Sequence, residues 1–216
     1  MSPQVRLLPL FPLNVVLFPN AMLPLHVFEE RYKLMVQRCL EGDSLFGVVL
    51  IESGAEVGGP AESHRVGTVA HIENVGRMND GRMLMSTVGR ERFVISRIAQ
   101  RHPYIEAEVE LLEREAEPSI PQDELEAVRA AVTRHSRLTL GLRGGWVHSA
   151  RMPRAPEALS YHIGALLHAG TAEKQALLEE PTATGRLRAE LGLLQAEAPA
   201  LRQRVALEMR RRFGRQ

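Results

Sequence analysis

Residues Leu7–Tyr32 read LLPLFPLNVVLFPNAMLPLHVFEERY, the most apolar segment of the chain, yet Pro9, Pro12, Pro19 and Pro24 interrupt it. Proline fixes φ and removes a backbone donor, so a segment punctuated this way is neither one continuous helix nor a run of central strands. It predicts short extended pieces at sheet edges and corners. Pro19-Asn20 predicts the turn between them, with proline presetting the first turn position and asparagine tolerating the left-handed second. After that turn Leu23, Leu25 and Val27 alternate with Met22, Pro24 and His26, the period of a half-buried strand. Glu29 and Glu30 then open a helix, where acids suit the positive end of the macrodipole. Tyr32, Met35, Val36, Cys39 and Leu40 recur at helical spacing, and Gly42 stands where a C-cap belongs.

Strand signals continue from there to residue 111. Leu45–Ile51 is a short β-branched apolar run, Glu52–Arg65 a polar glycine-rich loop, and Val66–Val75 a further strand. Asp80-Gly81, between extended runs, predicts a two-residue hairpin with both central residues at positive φ. The returning runs Met83–Val88 and Arg92–Ile98 flank Gly89, which marks a bulge or bend. In Ile105–Leu111 the apolar residues Ile105, Ala107, Val109 and Leu111 face one way, and Glu106, Glu108 and Glu110 face water. Six or seven short strands with one early helix predict an α+β chain opening on a small, closed or nearly closed barrel. Glu113–Pro121, charged and proline-bearing, is a natural linker, and it divides the chain into a barrel part, 1–117, and a helical part, 118–216. One helical stripe runs through Leu125, Val128, Val132, His135 and Leu142 to Gly144-Gly145, and another through Leu159, Ile163, Leu166 and Leu167. Thr171 is placed to N-cap a short third helix. The last helix carries Leu187, Leu194 and Leu201 seven apart, a heptad seam in which Pro199 predicts a kink or a split.

Composition at 216 residues is ordinarily globular, with 44% apolar and 25% charged residues and a net charge of +1. A chain of this size buries roughly 70% of its unfolded surface and needs no disulfide or metal staple. Its single cysteine, Cys39, reads as a buried, inert thiol. Charge is unevenly placed: Met1–Glu117 holds 12 basic and 16 acidic residues, Pro118–Gln216 15 and 10. Six arginines against Glu208 crowd Arg202–Gln216. The apolar opening resembles a signal peptide only superficially, because prolines and Asn14 break it and no small-x-small site follows. No other segment approaches the ~20 uninterrupted apolar residues of a membrane span, so the expectation is a soluble, cytoplasmic protein without membrane contact.

The opening LPLFPLNVVLFPNAMLPLHVFEERYKLM, Leu8–Met35, closely resembles the start of the N-terminal substrate-binding domain of Lon proteases. That domain also occurs as a free-standing protein and within cereblon. FGVVL at Phe46–Leu50, VGTVAHI at Val66–Ile72, DGRMLMSTVGRERFVI at Asp80–Ile95 and KQALLE at Lys174–Glu179 extend the resemblance to about Leu194. The family often has glycine where this chain has Asn20. The resemblance implies a PUA-like β-barrel followed by a helical subdomain. It also implies a role in binding exposed or unfolded polypeptide, as an adaptor in protein quality control working with a separate ATPase-protease.

Catalytic signatures are missing from the sequence. It contains no G-x-x-x-x-G-K-[ST] loop, and its two lysines, Lys33 and Lys174, stand in no serine-lysine setting, so ATP-driven proteolysis is excluded for this sequence. One cysteine and eight scattered histidines lack zinc-ligand spacing, His162 and His168 sharing no helix face, so no metal or cofactor is expected. No G-x-S-x-G elbow marks a hydrolase. The arginine-rich end suggests nucleic-acid or ribosome binding as the alternative function. Against it stand the macrodipole's preference for cations at a helix C-terminus and the lack of an aromatic platform beyond Phe213. A peptide could add to a barrel edge near Pro12 or Pro24, or lie in a groove there. The candidate contacts are Phe11, Phe18, Met22, Pro24 and His26. Met78, Met83 and Met85 read as core filler before contact residues.

Overall fold

The computed structural model describes residues 5–57, 61–112, 120–143 and 152–213. In chain order these form β1 (Val5–Leu13), β2 (Met22–Val27), α1 (Glu30–Glu41), β3 (Leu45–Gly54), β4 (Ala61–Arg77), β5 (Met83–Gln100), β6 (Ile105–Leu111), α2 (Gln122–Arg143), α3 (Pro156–Leu166), α4 (Thr171–Glu179) and α5 (Ala183–Phe213). The chain is α+β, and its strands make one sheet in the order β2-β5-β4-β3-β1-β6. A further β5–β6 pairing closes that sheet into a ring. Only β1 and β3 run parallel; the other pairings are antiparallel. Two compact units are present: one holds the strands, α1 and α4, the other α2, α3 and α5. Residues 170–179, which lie among helices in the sequence, thus belong with the strands.

The prolines of β1 sit inside the ring, not at an edge, and the register explains how. β1 pairs with β6 over Val5–Leu10 and with β3 over Leu10–Leu13. Pro9 therefore has a registered partner only on the β6 side and Pro12 only on the β3 side. At each proline the strand is locally one-sided, so a missing N–H leaves no ladder bond unmade. The sheet carries apolar residues on two sides of this strand. Leu8, Leu10, Val49, Val69, Phe93, Ile95, Ala107 and Val109 form one buried cluster. Phe11, Phe46, Val48, Ile72, Met83 and Met85 form the other, with Tyr32, Met35, Val36 and Cys39 of α1 packed among them. The Phe11 and Tyr32 rings stack at 4.1 Å. Phe93 reaches the centre of its cluster because a Cβ at either Gly47 or Gly67 would stand only 2.7 Å from its ring tip.

Local features follow the sequence with informative exceptions. Asn20 takes φ 63°, the left-handed value expected of it. The Asp80 hairpin has three loop residues instead of two. Gly81 N donates to Met78 O and Met78 N to Arg82 O, and only Gly81, at φ 78°, is left-handed. That is a type I turn closed by a glycine bulge. Gly42 at the end of α1 keeps φ at −112°, and Ser44 supplies the left-handed residue there, at φ 61°. β3 and β4 run to Gly54 and from Ala61, shortening the expected loop at both ends. Glu106 is buried, whereas Glu108 pairs with Arg97 and Glu110 accepts from Ser96. Thr171 begins α4 instead of capping it; the Glu173 carboxylate reaches back to Gly170 N–H at 2.8 Å, half of a capping box. α4 is tied to the strands by Gln175 Nε2 donating to Val66 O and Arg92 Nη1 to Leu178 O.

In the second unit Leu187, Leu194 and Leu201 are buried along α5, which runs as one helix through Pro199. Pro199 lies on the exposed side, where water can take up the carbonyl it leaves free. Val128 and Val132 of α2 are buried as the stripe predicts. Gly144-Gly145 and most of the Glu113–Pro121 linker lie outside the described residues.

Candidate functional site

Two interactions fix where the leader returns to the sheet after Pro19-Asn20. Asn20 N donates to Gly89 O at 2.8 Å and Gly89 N to Ala21 O at 2.9 Å. A Cβ at Gly89 would collide with the Phe18 carbonyl, so glycine is what lets the leader backbone touch β5. Buried threonines finish the seam: Thr68 Oγ1 donates to Leu17 O and Thr87 Oγ1 to Leu23 O. β2 is thereby laid antiparallel along the first half of β5.

The register then builds a face. Met22 stands opposite Val88, and Val88 opposite His71; Pro24 opposite Ser86, and Ser86 opposite Asn74; His26 opposite Leu84, and Leu84 opposite Gly76. Strand periodicity puts these rows on the outer side, since Met83, Met85 and Thr87 between them are buried. Met22 is 72% exposed and Leu84 51%. Phe28, 46% exposed, holds its ring 5.8 Å from that of His26. Pro24, Leu25, His26, Asn74, Leu84 and Ser86 line an open depression of about 450 Å³. From Met22 to His26 the face runs about 13 Å, enough for four to five residues of extended chain. At one end Glu73 draws together His71 Nδ1, at 3.0 Å, and Arg90, at 3.4 Å. At the hairpin end Asp80 pairs with Arg82 at 2.6 Å, which holds the Asp80 carboxyl below its usual range. The result is a face with Met22 and Val88 at one end, Leu84 and His26 at the other, the Pro24–Ser86–Asn74 row between them, and charged pairs beyond.

The five contact residues read from the sequence divide. Met22, Pro24 and His26 share the face. Phe11, 6% exposed, and Phe18, 1% exposed, are core, Phe11 under α1 and Phe18 beneath the Gly89 seam, so neither lies on that face. Met83 and Met85 are core as expected, and Met78 is exposed in the hairpin. Leu84 and Phe28 were not singled out by the sequence. A signal for Leu84 did exist: with Val88 it is one of two apolar residues on the Leu84-Ser86-Val88-Arg90 side of β5, where alternation calls for polar ones.

Apart from Asp80 on the rim, the perturbed groups named next lie away from this face. Burial pushes the Cys39 thiol, on α1, up to about 11, with Glu106 adding to the rise. Burial lifts the Glu190 carboxyl, on α5, to about 9, offset in part by Arg186. Burial lowers the imidazole of His162. None of these lines the depression. Among the described residues no helix is long and apolar enough to cross a membrane.

The sequence model of the family described as the ATP-dependent protease La (LON) substrate-binding domain matches residues 7–196. The chain is 29% identical over 192 residues to the Lon protease of Syntrophus aciditrophicus, covering 85% of this chain and 24% of that protein. It is 30% identical over 192 residues to Lon protease 2 of Syntrophobacter fumaroxidans, covering 82% and 22%. The chain spans about a quarter of the length of these relatives. The crystal structure of a Lon N-terminal domain protein from Xanthomonas campestris superposes with a TM-score of 0.67 at 26% identity, over 87% of this chain and 98% of that one. The N-terminal domain of a Mycobacterium avium complex Lon protease shares the fold, with a TM-score of 0.60 at 19% identity over 88% and 98%.

Proposed function

Because this chain belongs to the ATP-dependent protease La (LON) substrate-binding domain family, we propose that it is a non-enzymatic module holding exposed apolar segments of polypeptide on the outer face of β2 and β5. One observation carries the reading: Met22, Leu84 and Phe28 stay exposed around a shallow depression although the chain has ample core to bury them in. An exposed cluster of large apolar side chains rimmed by charge is the mark of a docking surface. Met22 suits varied partners because an unbranched thioether adapts its shape at little cost. His26 and Asn74 supply polar atoms for the backbone of a bound segment. The client is a segment left unfolded or extended. The further partner is a separate ATPase-protease, to which the module presents that segment, as an adaptor in quality control.

The test is titration of a fluorescently labelled, permanently unfolded polypeptide, followed by anisotropy, with wild type and Met22→Asp/Leu84→Asp. Both positions face solvent, so the variant keeps the fold. The expected outcome is saturable binding by wild type and a loss of at least tenfold in the variant, about 1.4 kcal/mol. Equal binding by the two proteins, or no association at high micromolar polypeptide across several sequences, sinks the reading.

A further inference from the structure

We propose that His135, His168 and Glu197 form a binding site for a divalent first-row transition metal, Zn²⁺ above all, within the helical unit. The three come from separate segments: His135 from α2, His168 from the stretch after α3, and Glu197 from α5. One ligand atom from each lies within 4.8 Å of the others. His135 is 5% exposed, and its Nε2 meets Glu197 Oε2 at 2.9 Å, so the buried imidazole is already oriented toward the carboxylate. The His168 ring stands 5.8 Å from that of His135, centroid to centroid, tilted by 41°.

Two imidazoles and one carboxylate are the donor set of a borderline acid; Mg²⁺ and Ca²⁺ take oxygen ligands. With Zn–N and Zn–O bonds near 2.0–2.1 Å, tetrahedral ligand atoms stand about 3.4 Å apart. The His135–Glu197 pair opens slightly to admit the ion, and the exposed His168 side chain turns inward to complete the set. Glu197 is half-buried and His168 exposed, so a fourth position is left to water. Such a site joins α2 to α5 and to the chain after α3, and the bound ion stabilises that unit by mass action. It stands independently of the peptide-binding face.

The full chain, freed of metal with a chelator, is titrated with Zn²⁺ by calorimetry and in competition with a chromophoric chelator. The expected result is one equivalent bound with a micromolar or tighter dissociation constant, undisturbed by a hundredfold excess of Mg²⁺. His168→Ala and Glu197→Gln each weaken binding at least tenfold, and His64→Ala, at the other unit's His64–Glu179 pair, leaves it unchanged. Absence of a saturable site, equal affinity in His168→Ala and Glu197→Gln, or loss of binding in His64→Ala overturns the proposal. Co²⁺ bound to the unmodified protein gives a second reading free of any variant. Intense visible absorption bands of four- or five-coordinate cobalt support the site, and weak octahedral bands refute it.

Discussion

Replacing Gly89 with alanine tests whether the leader-to-β5 seam holds the candidate face in place. The new Cβ falls within 3.0 Å of the Phe18 carbonyl oxygen and stands 3.1 Å from its carbon and 3.2 Å from Thr68 Cγ2. That oxygen is backbone and cannot rotate away. It accepts from Ala21 N, while residues 20 and 21 are bonded to Gly89 on both sides, and the neighbouring Leu17 carbonyl is held by Thr68. Making room means breaking about two hydrogen bonds, each worth about 1 kcal/mol. Overpacking of the buried Phe18 and Thr68 adds about 1–3 kcal/mol. The substitution should therefore cost about 3–5 kcal/mol, a large share of the 5–15 kcal/mol that keeps a domain folded. Urea unfolding with a probe in the strand-rich unit reads the loss as a lower midpoint, and polypeptide binding should weaken with it because β2 loses its anchor. Gly192→Ala is the matched control. Nothing lies within 4 Å of its would-be Cβ on α5, so helix propensity alone predicts a gain of up to about 1 kcal/mol. A loss below 1 kcal/mol in Gly89→Ala would show that the leader yields there and that the seam does not position the face.

Glu190 gives the helical unit a pH dependence. Both of its oxygens are buried, and that burial raises its carboxyl from 4.5 to about 9, with Arg186 and the Gly164 backbone offsetting it only in part. A raised acid favours the folded state fully below 4.5, and that advantage is lost as pH climbs toward 9, about 3 kcal/mol of it by pH 7. Glu190→Met, of similar volume, should flatten the pH profile of that unit's unfolding and raise its stability at pH 8; an unchanged profile refutes the buried-acid account. Cys39, with its thiol raised from 9.0 to about 11, should react with a thiol reagent at pH 8 far more slowly folded than unfolded. Its neutral form favours the fold below pH 9 and loses that preference between 9 and 11. Equal rates in native buffer and in urea would contradict the burial.

Much of the strand-rich unit was legible because its signals are local. Asn20 at positive φ and the Gly89 irregularity each depend on a few neighbouring residues, whereas the alternation read over Ile105–Leu111 fails at Glu106, which is buried. The position of β1 in the ring was not, because a proline rule reads one strand at a time. What spares Pro9 and Pro12 is a change of partner at Leu10, set by β3 and β6 far along the chain. The candidate site was half legible for a related reason. Period-two alternation sorts Met22, Pro24 and His26 onto one side of β2, but it cannot say which way Phe11 and Phe18 turn, since both lie where α1 or the β5 seam decides burial. The histidines were hardest. His135, His168 and Glu197 are 33 and 29 residues apart (135 to 168, 168 to 197), and only helix packing brings them together.

The residues that make β2 a poor member of a sheet are also those on which the proposed recognition rests. Among the described residues its only partner is β5, so its other edge is open, and an open apolar edge invites pairing with other chains. Pro24 in the middle of the strand removes a donor from that edge and so spoils a continuous ladder with an incoming strand. Met22 and Leu84 nevertheless keep the adjoining face apolar. On the proposed reading, separating the two properties would hold side chains of a client by contact with the face, while the backbone hydrogen bonding that leads to irreversible stacking would be discouraged. On that reading the Gly89 seam is what holds the face in place, since its two backbone hydrogen bonds anchor the turn that leads into β2.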